Sequence, residues 1–182
     1  MKKSTGIVFV LAVVLAAVAY FYDWKRQPFV EKSPNAVETP FSVESQDIIQ
    51  ITITRAGMTI VFDRKNDGWY ISRPIAERAD QAALNNVARY ISIVPQDTKV
   101  PATPELMETY GLINPAQILE FKLQNGETHR LRMGASDFSG LEVYAQVDDS
   151  KDVVLISNVL FRSADKSLDE FRDRTGELPG NR

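Results

Sequence analysis

One histidine and no cysteine narrow the chemistry open to this 182-residue chain. Without cysteine there is no disulfide, no thiolate nucleophile, no Cys-ligated zinc and no iron–sulfur cluster. A lipid-modified cysteine anchor is excluded as well. His129 shares strand parity with Leu131 and Met133. That places it on the apolar side of a strand, where a packed or rim histidine is the expected role. Asp148, Asp149 and Asp152 could in principle gather a divalent cation. They lack the alternating acidic spacing, the central glycine and the distal Glu of a calcium loop, so a solvated hairpin turn is expected. Gly134 and Gly140 bracket a polar loop containing Ser136, Asp137 and Ser139. No lysine follows in P-loop register, and the serines lack a nucleophile elbow or a nearby histidine. No catalytic, cofactor-binding or metal-ligating set is expected.

The remaining candidates are for binding. Asp165–Arg174 (DKSLDEFRDR) is the densest charge run. It reads first as a solvated helix face, with Glu170 and Arg174 at i,i+4 spacing. It reads second as a docking surface using Leu168 and Phe171 as apolar anchors with Arg172 and Arg174 beside them. Tyr110, just ahead of Gly111, is a further docking candidate. Trp69 alternates with Ile71 and is assigned to the core.

Elements must position these residues. Ile49, Ile51 and Ile53 alternate with polar neighbours over Asp47–Arg55, which is the signature of a half-buried strand. Strands at Thr59–Arg64 and Trp69–Ser72 follow the Ala56-Gly57 and Asn66-Asp67-Gly68 turns. Asp80 is the expected N-cap of a helix over Gln81–Ile93. Lys99–Pro104 is expected to connect. Thr103 caps and Pro104 opens a short helix that stops at Gly111. The pattern then recurs. Strands at Ile118–Gln124 and Thr128–Met133 flank Asn125-Gly126, the best hairpin signal in the chain. Strands at Leu141–Val147 and Asp152–Ile156 precede a helix capped by Ser157 and another, Leu168–Arg174, capped by Ser167. The expected fold class is α+β, with antiparallel β-meanders, helices packed on them and two similar β-β-α halves. A cleft between those halves is one candidate ligand site.

Gly6–Tyr22 holds 17 residues without a charge. As a helix it would span roughly 26 Å, near the lower limit for crossing a bilayer. Tyr20, Phe21, Tyr22 and Trp24 cluster at its C-terminal end, where interfacial aromatics belong. Ala17-Val18-Ala19 fits the small-x-small pattern of signal-peptide cleavage, so a cleaved leader competes with an uncleaved anchor. Lys2 and Lys3 at one flank are rivalled by Lys25, Arg26 and Lys32 at the other, and export of the domain is the preferred orientation. The expected layout is a cytoplasmic tip at 1–5, a transmembrane anchor at 6–22 and a tether at 23–44. A first half at 45–98, a connector at 99–117, a second half at 118–175 and a tail at 176–182 complete it. Past residue 32 the chain carries 16 basic and 22 acidic groups, a net of −6. An acidic domain gives no footprint for nucleic acid.

These pieces, in this order and spacing, resemble the bacterial membrane-anchored family known as domain of unknown function 4340. The resemblance covers most of the chain. It rests on the aromatic-ended apolar segment, Asp67-Gly68-Trp69 with Pro74 after it, and Ala79-Asp80-Gln81-Ala82. It continues through Tyr110-Gly111-Leu112 before Pro115 and Asn125-Gly126 before Thr128, to Asp165-Lys166-Ser167-Leu168 and Phe171-Arg172-Asp173-Arg174. It implies a single-pass protein of the inner (cytoplasmic) membrane with an extracytoplasmic domain. It implies membrane-protein partners, among them an ABC-type transporter, and no catalytic residue or cofactor. The chain is short for that family, whose longer members repeat the unit. The functional expectation is an interaction or accessory module of an envelope complex, then a ligand-binding module, then an enzyme.

Overall fold

The structure, a computed structural model, describes residues 39–94 and 96–174. The apolar run, its aromatics Tyr20, Phe21, Tyr22 and Trp24, and the tail lie outside the described residues. Among the described residues no helix is long and apolar enough to cross a membrane.

Strands β1 (Ile48–Arg55), β2 (Met58–Lys65), β3 (Gly68–Arg73) and β4 (Glu77–Arg78) lead into helix α1 (Gln81–Ile93). Strand β5 (Gln96–Val100) and helix α2 (Pro104–Thr109) follow. Strands β6 (Gln117–Leu123), β7 (Thr128–Ser136), β8 (Glu142–Val147) and β9 (Val153–Ser157) come next, then helix α3 (Asn158–Ala164) and a single 3-10 turn, Asp169–Phe171. The nine strands of the described residues form one sheet in the order β4-β3-β2-β1-β6-β7-β8-β9-β5, every neighbouring pair antiparallel. The fold is α+β, with one large antiparallel sheet and few helices.

Alternation fixes which face is buried. Ile51 faces Phe62 on one side and Phe121 on the other, and Ile53 faces Ile60 and Leu119. Leu119 in turn faces Leu131. These side chains form one apolar sheet face, roofed by Leu84, Val87, Ala88 and Ile91 of α1 and by Leu160 and Ala164 of α3. Each such Leu, Ile or Phe contributes about 1.5–3 kcal/mol on burial. Asp80 caps α1 by accepting the Ala83 N–H, and Ser157 caps α3, so both helices start where their caps set them.

The opposite sheet face carries a smaller cluster of Tyr110, Leu112 and Val153 at its β5 end. Tyr110 stacks on Tyr144 with centroids 4.0 Å apart. Here the chain after α2 crosses β7 at close range, and the Tyr110 carbonyl accepts the Ala135 N–H at 2.8 Å. Gly134 permits the crossing, since a Cβ there would sit 2.1 Å from the Tyr110 oxygen.

Several expectations change. The two meanders are not separated by a cleft: β1 and β6 pair directly from Ile48↔Leu123 to Arg55↔Gln117, and backbone ladder occupies the space where the alternative reading placed a ligand cleft. Residues 96–100, read as the end of the first half and the start of the connector, form edge strand β5, which pairs with β9 on one side. The end of the expected tether packs on the sheet, with Phe41 buried and its ring 4.9 Å from that of Phe121. Gly134 lies inside β7 and does not open a loop. The helix expected over Leu168–Arg174 is a single 3-10 turn followed by extended chain, because Arg172 bridges to Ala79 as a strand would.

Candidate functional site

The C-terminal segment from Asp165 to Arg174 lands on the corner made by β3, β4 and the start of α1. Phe171 is fully buried there, its ring 4.9 Å from that of Phe62. Its carbonyl accepts the Asp80 N–H at 2.8 Å, and Asp173 donates its N–H to the Arg78 carbonyl at 3.0 Å. With the Ala79–Arg172 bridge between them, residues 171–173 continue the sheet beyond β4. Phe171 points inward and Arg172 outward, as the alternation of an extended chain requires.

The outer side chains are tied to one another. Arg172 grips Glu77 with two hydrogen bonds, Nε to Oε2 at 2.6 Å and Nη2 to Oε1 at 3.1 Å. This charge-assisted pairing holds the guanidinium above its ordinary pKa. Asp169 lies 3.4 Å from the same guanidinium, and Arg174 donates to the Asp169 carbonyl at 3.2 Å. Ser167 and Glu170 form a capping box around the 3-10 turn, with Glu170 Oε2 accepting from Ser167 N and Oγ at 2.8 Å each. Those bonds hold the Glu170 carboxyl below its ordinary range. Asp165 pairs with Arg55. Asp80, Lys166, Asp169, Glu170, Arg172 and Arg174 line an open depression of about 410 Å³. All six are charged. Lys166 makes no hydrogen bond among the described residues.

A backbone lock supports this corner. Gln81, the first residue of α1, accepts the Trp69 N–H at 2.7 Å and donates to the Trp69 and Ala79 carbonyls at 2.9 and 2.7 Å. Its amide serves β3 as a neighbouring strand would. Gly68 makes room for it, since a Cβ there would come 2.3 Å from Gln81 Oε1. Trp69 is buried as expected, and its indole donates to Asn85 at 3.1 Å. From the sequence Gln81 is legible only as a helix start within the Ala79–Ala82 stretch, and Glu77 is not legible at all. The local cue for Gln81 was a side-chain amide at a helix start behind a turn glycine. Glu77 had no local cue, because its partner Arg172 lies 95 positions away.

The other candidates fall elsewhere. Tyr110 is buried on the opposite face and Phe171 in the main core, while Leu168 packs partly buried against that core. Tyr110 and Phe171 are therefore covered by this chain itself, while Leu168 stays half-exposed beside the depression. Arg172 and Arg174 remain at the surface depression. His129 is a rim residue, its ring 5.2 Å from that of Phe41 and 5.3 Å from that of Phe121, with Nδ1 3.0 Å from Asp148 Oδ2. Asp148 also accepts the Arg130 N–H, and Asp152 pairs with Lys99 at 2.6 Å. No three His, Asp or Glu side chains among the described residues are grouped to hold a metal ion. Asp137 accepts from Ser139 N, Ser139 Oγ and Glu142 N at 3.0 Å each, so that serine braces a turn.

The arrangement can recognise charge. Its guanidiniums are fixed by neighbours while keeping N–H groups at the surface, and Glu170 stays ionised at neutral pH with no proton to give. Three stretches that carry the sequence resemblance meet in this corner: Asp67–Trp69, Ala79–Ala82 and Asp165–Arg174. The chain matches no curated protein and no solved structure. Residues 69–176 match the family described as Domain of unknown function (DUF4340), and since that span is more than half of its length, the chain belongs to this family.

Proposed function

We propose that the chain is a single-pass, membrane-anchored extracytoplasmic domain that serves as a non-enzymatic interaction or accessory module of a bacterial envelope complex. The observation that carries this reading is the platform of interlocked charges around Arg172 and Arg174. Its side chains are held by Glu77, Asp169 and Ser167, so little ordering remains to be done when a partner's charged groups arrive. The partners are membrane proteins, an ABC-type transporter among them, and the bilayer itself. Nucleic acid is not among them, in keeping with the net acidic domain.

The 17-residue apolar run supports the anchor. A tether limits the domain to a shell above the inner membrane and so raises its effective concentration for partners in the same bilayer. The strand order supports two similar β-β-α halves. β1 to β4 lead outward on one side of the β1–β6 pair, β6 to β9 on the other, and each run is followed by a helix on the shared core.

The test is fractionation of the full chain from cells, followed by external protease and mild-detergent purification after crosslinking. Retention in the inner membrane after carbonate washing, digestion only from the extracytoplasmic side, and recovery with defined membrane proteins are expected. Release into the soluble fraction would reject the anchor. Purification of the protein alone after crosslinking would reject the interaction role.

A further inference from the structure

We propose that the end of the sheet bearing Phe138 and Leu141 is a bilayer-contact surface. The two ends of the sheet differ in chemistry. At one end lie the hairpin turns β2–β3, β6–β7 and β8–β9, which carry Asp67, Glu127, Asp148, Asp149, Asp152 and Lys151, while the flanking strand ends add Lys65, Arg78, Lys99, Lys122 and Arg130, with Asp67 paired to Arg78 and Asp152 to Lys99. The N-terminal chain joins the sheet at this same end, where the Gln124 N–H bonds to the Asp47 carbonyl. At the other end lie the connections Ala56-Gly57, Pro74–Ala76, Gly111–Ala116 and Asp137–Leu141. Asp137 is the one charged residue within those four connections, and the strand ends beside them add Arg55, which pairs with Asp165, and Arg73, Glu77 and Glu142. Among the described residues, the six exposed large hydrophobics, Met58, Ile93, Ile113, Phe138, Leu141 and Val159, sit on these connections or on the strand and helix ends beside them.

Phe138 is 103% exposed and Leu141 70% exposed, on a loop braced by its own hydrogen bonds. Asp137 holds the loop through Ser139 and Glu142, and Gly140 N–H bonds back to the Asp137 carbonyl at 3.1 Å. Asn158 donates its N–H to the Leu141 carbonyl at 2.9 Å, which sets Leu141 beside Val159 at the start of α3. The loop is built to present its apolar side chains. They stand separately across several strands and not around one concavity, which suits a fluid interface better than a shaped protein pocket. The near absence of charge within these connections lowers the desolvation penalty of approaching lipid.

Reach permits the contact. Residues 23–38 lie between the apolar run and the first described residue, and sixteen residues extend at most about 55 Å. The nine residues of β7 span about 30 Å, so the chain can return from the far end of the sheet to the membrane. The inference rests on the proposed anchor, which supplies the bilayer at high effective concentration.

The test places the full chain in vesicles of phosphatidylethanolamine and phosphatidylglycerol, with and without brominated acyl chains. Phe138→Trp is made in a Trp24→Phe background, and the otherwise unaltered chain reports on Trp24. Buried Trp69 reports the fold in both. Loss of Phe138→Trp emission with brominated lipid, together with a blue shift, is expected, and Leu141→Trp repeats the measurement if the first variant misfolds. Quenching at Trp24 but at neither loop position would overturn the proposal and leave the anchor standing. Quenching at none of these positions would overturn both. A loop tryptophan shielded from iodide yet unquenched by lipid would indicate a protein contact and also overturn the proposal.

Discussion

Gly134 shows how closely the two faces of this sheet depend on single atoms. Adding a methyl group at Gly134 pushes it against the Tyr110 carbonyl, backbone that cannot swing away. Gly134→Ala should therefore lower the unfolding free energy by about 1–3 kcal/mol, the usual range for an overpacked site, as read from urea midpoints. Gln117 runs the other way. Its side chain is 1% exposed on the core face, and neither amide atom has a protein partner among the described residues. Gln117→Met keeps the length and removes the buried polar atoms, so it should raise stability by about 1–3 kcal/mol in the same assay. Trp69 and His129 were legible because strand parity decides which face a side chain takes. Tyr110 and Phe171 were misread as surface residues. An aromatic beside a helix-ending glycine or inside a charge run carries no local sign that another element will cover it.

At the scale of elements, the strap from Asp165 to Arg174 holds the platform in place through one buried side chain. Phe171→Ala should cost about 3–5 kcal/mol as a large-to-small core change. Hydrogen exchange should rise first at Asp80 and Asp173, whose N–H groups bond across the strap. The acid limb of stability belongs here too. Hydrogen bonds from Ser167 hold Glu170 below its usual pKa, and the Tyr70 hydroxyl does the same for Asp67. A carboxylate depressed in the folded state adds stability that is complete above its unfolded pKa and is lost as pH falls through the folded value. Unfolding midpoints should fall across that acid range, and Ser167→Ala should flatten the fall. Helices α1 and α3 start where the sequence places them because Asp80 and Ser157 announce them as caps. Edge strand β5 and the extended end of the strap did not announce themselves. Both owe their conformation to partners remote in sequence, β9 for one and Ala79 for the other.

At the scale of the whole molecule, one sheet joins what the sequence presents as two meanders. The β1–β6 ladder makes the unit continuous and leaves the charged corner at its margin. The central claim is that the charged corner at β4 docks a membrane-protein partner. It is tested most directly by a photo-crosslinking residue placed at Arg174 in the full chain, irradiated in native membranes. Thr52 serves as the control position, partly exposed on the open sheet face away from the corner. A discrete adduct with one membrane protein from position 174, absent from position 52 and lost on Glu77→Gln, is the predicted result. No adduct from position 174, or the same adducts from both positions, would contradict it.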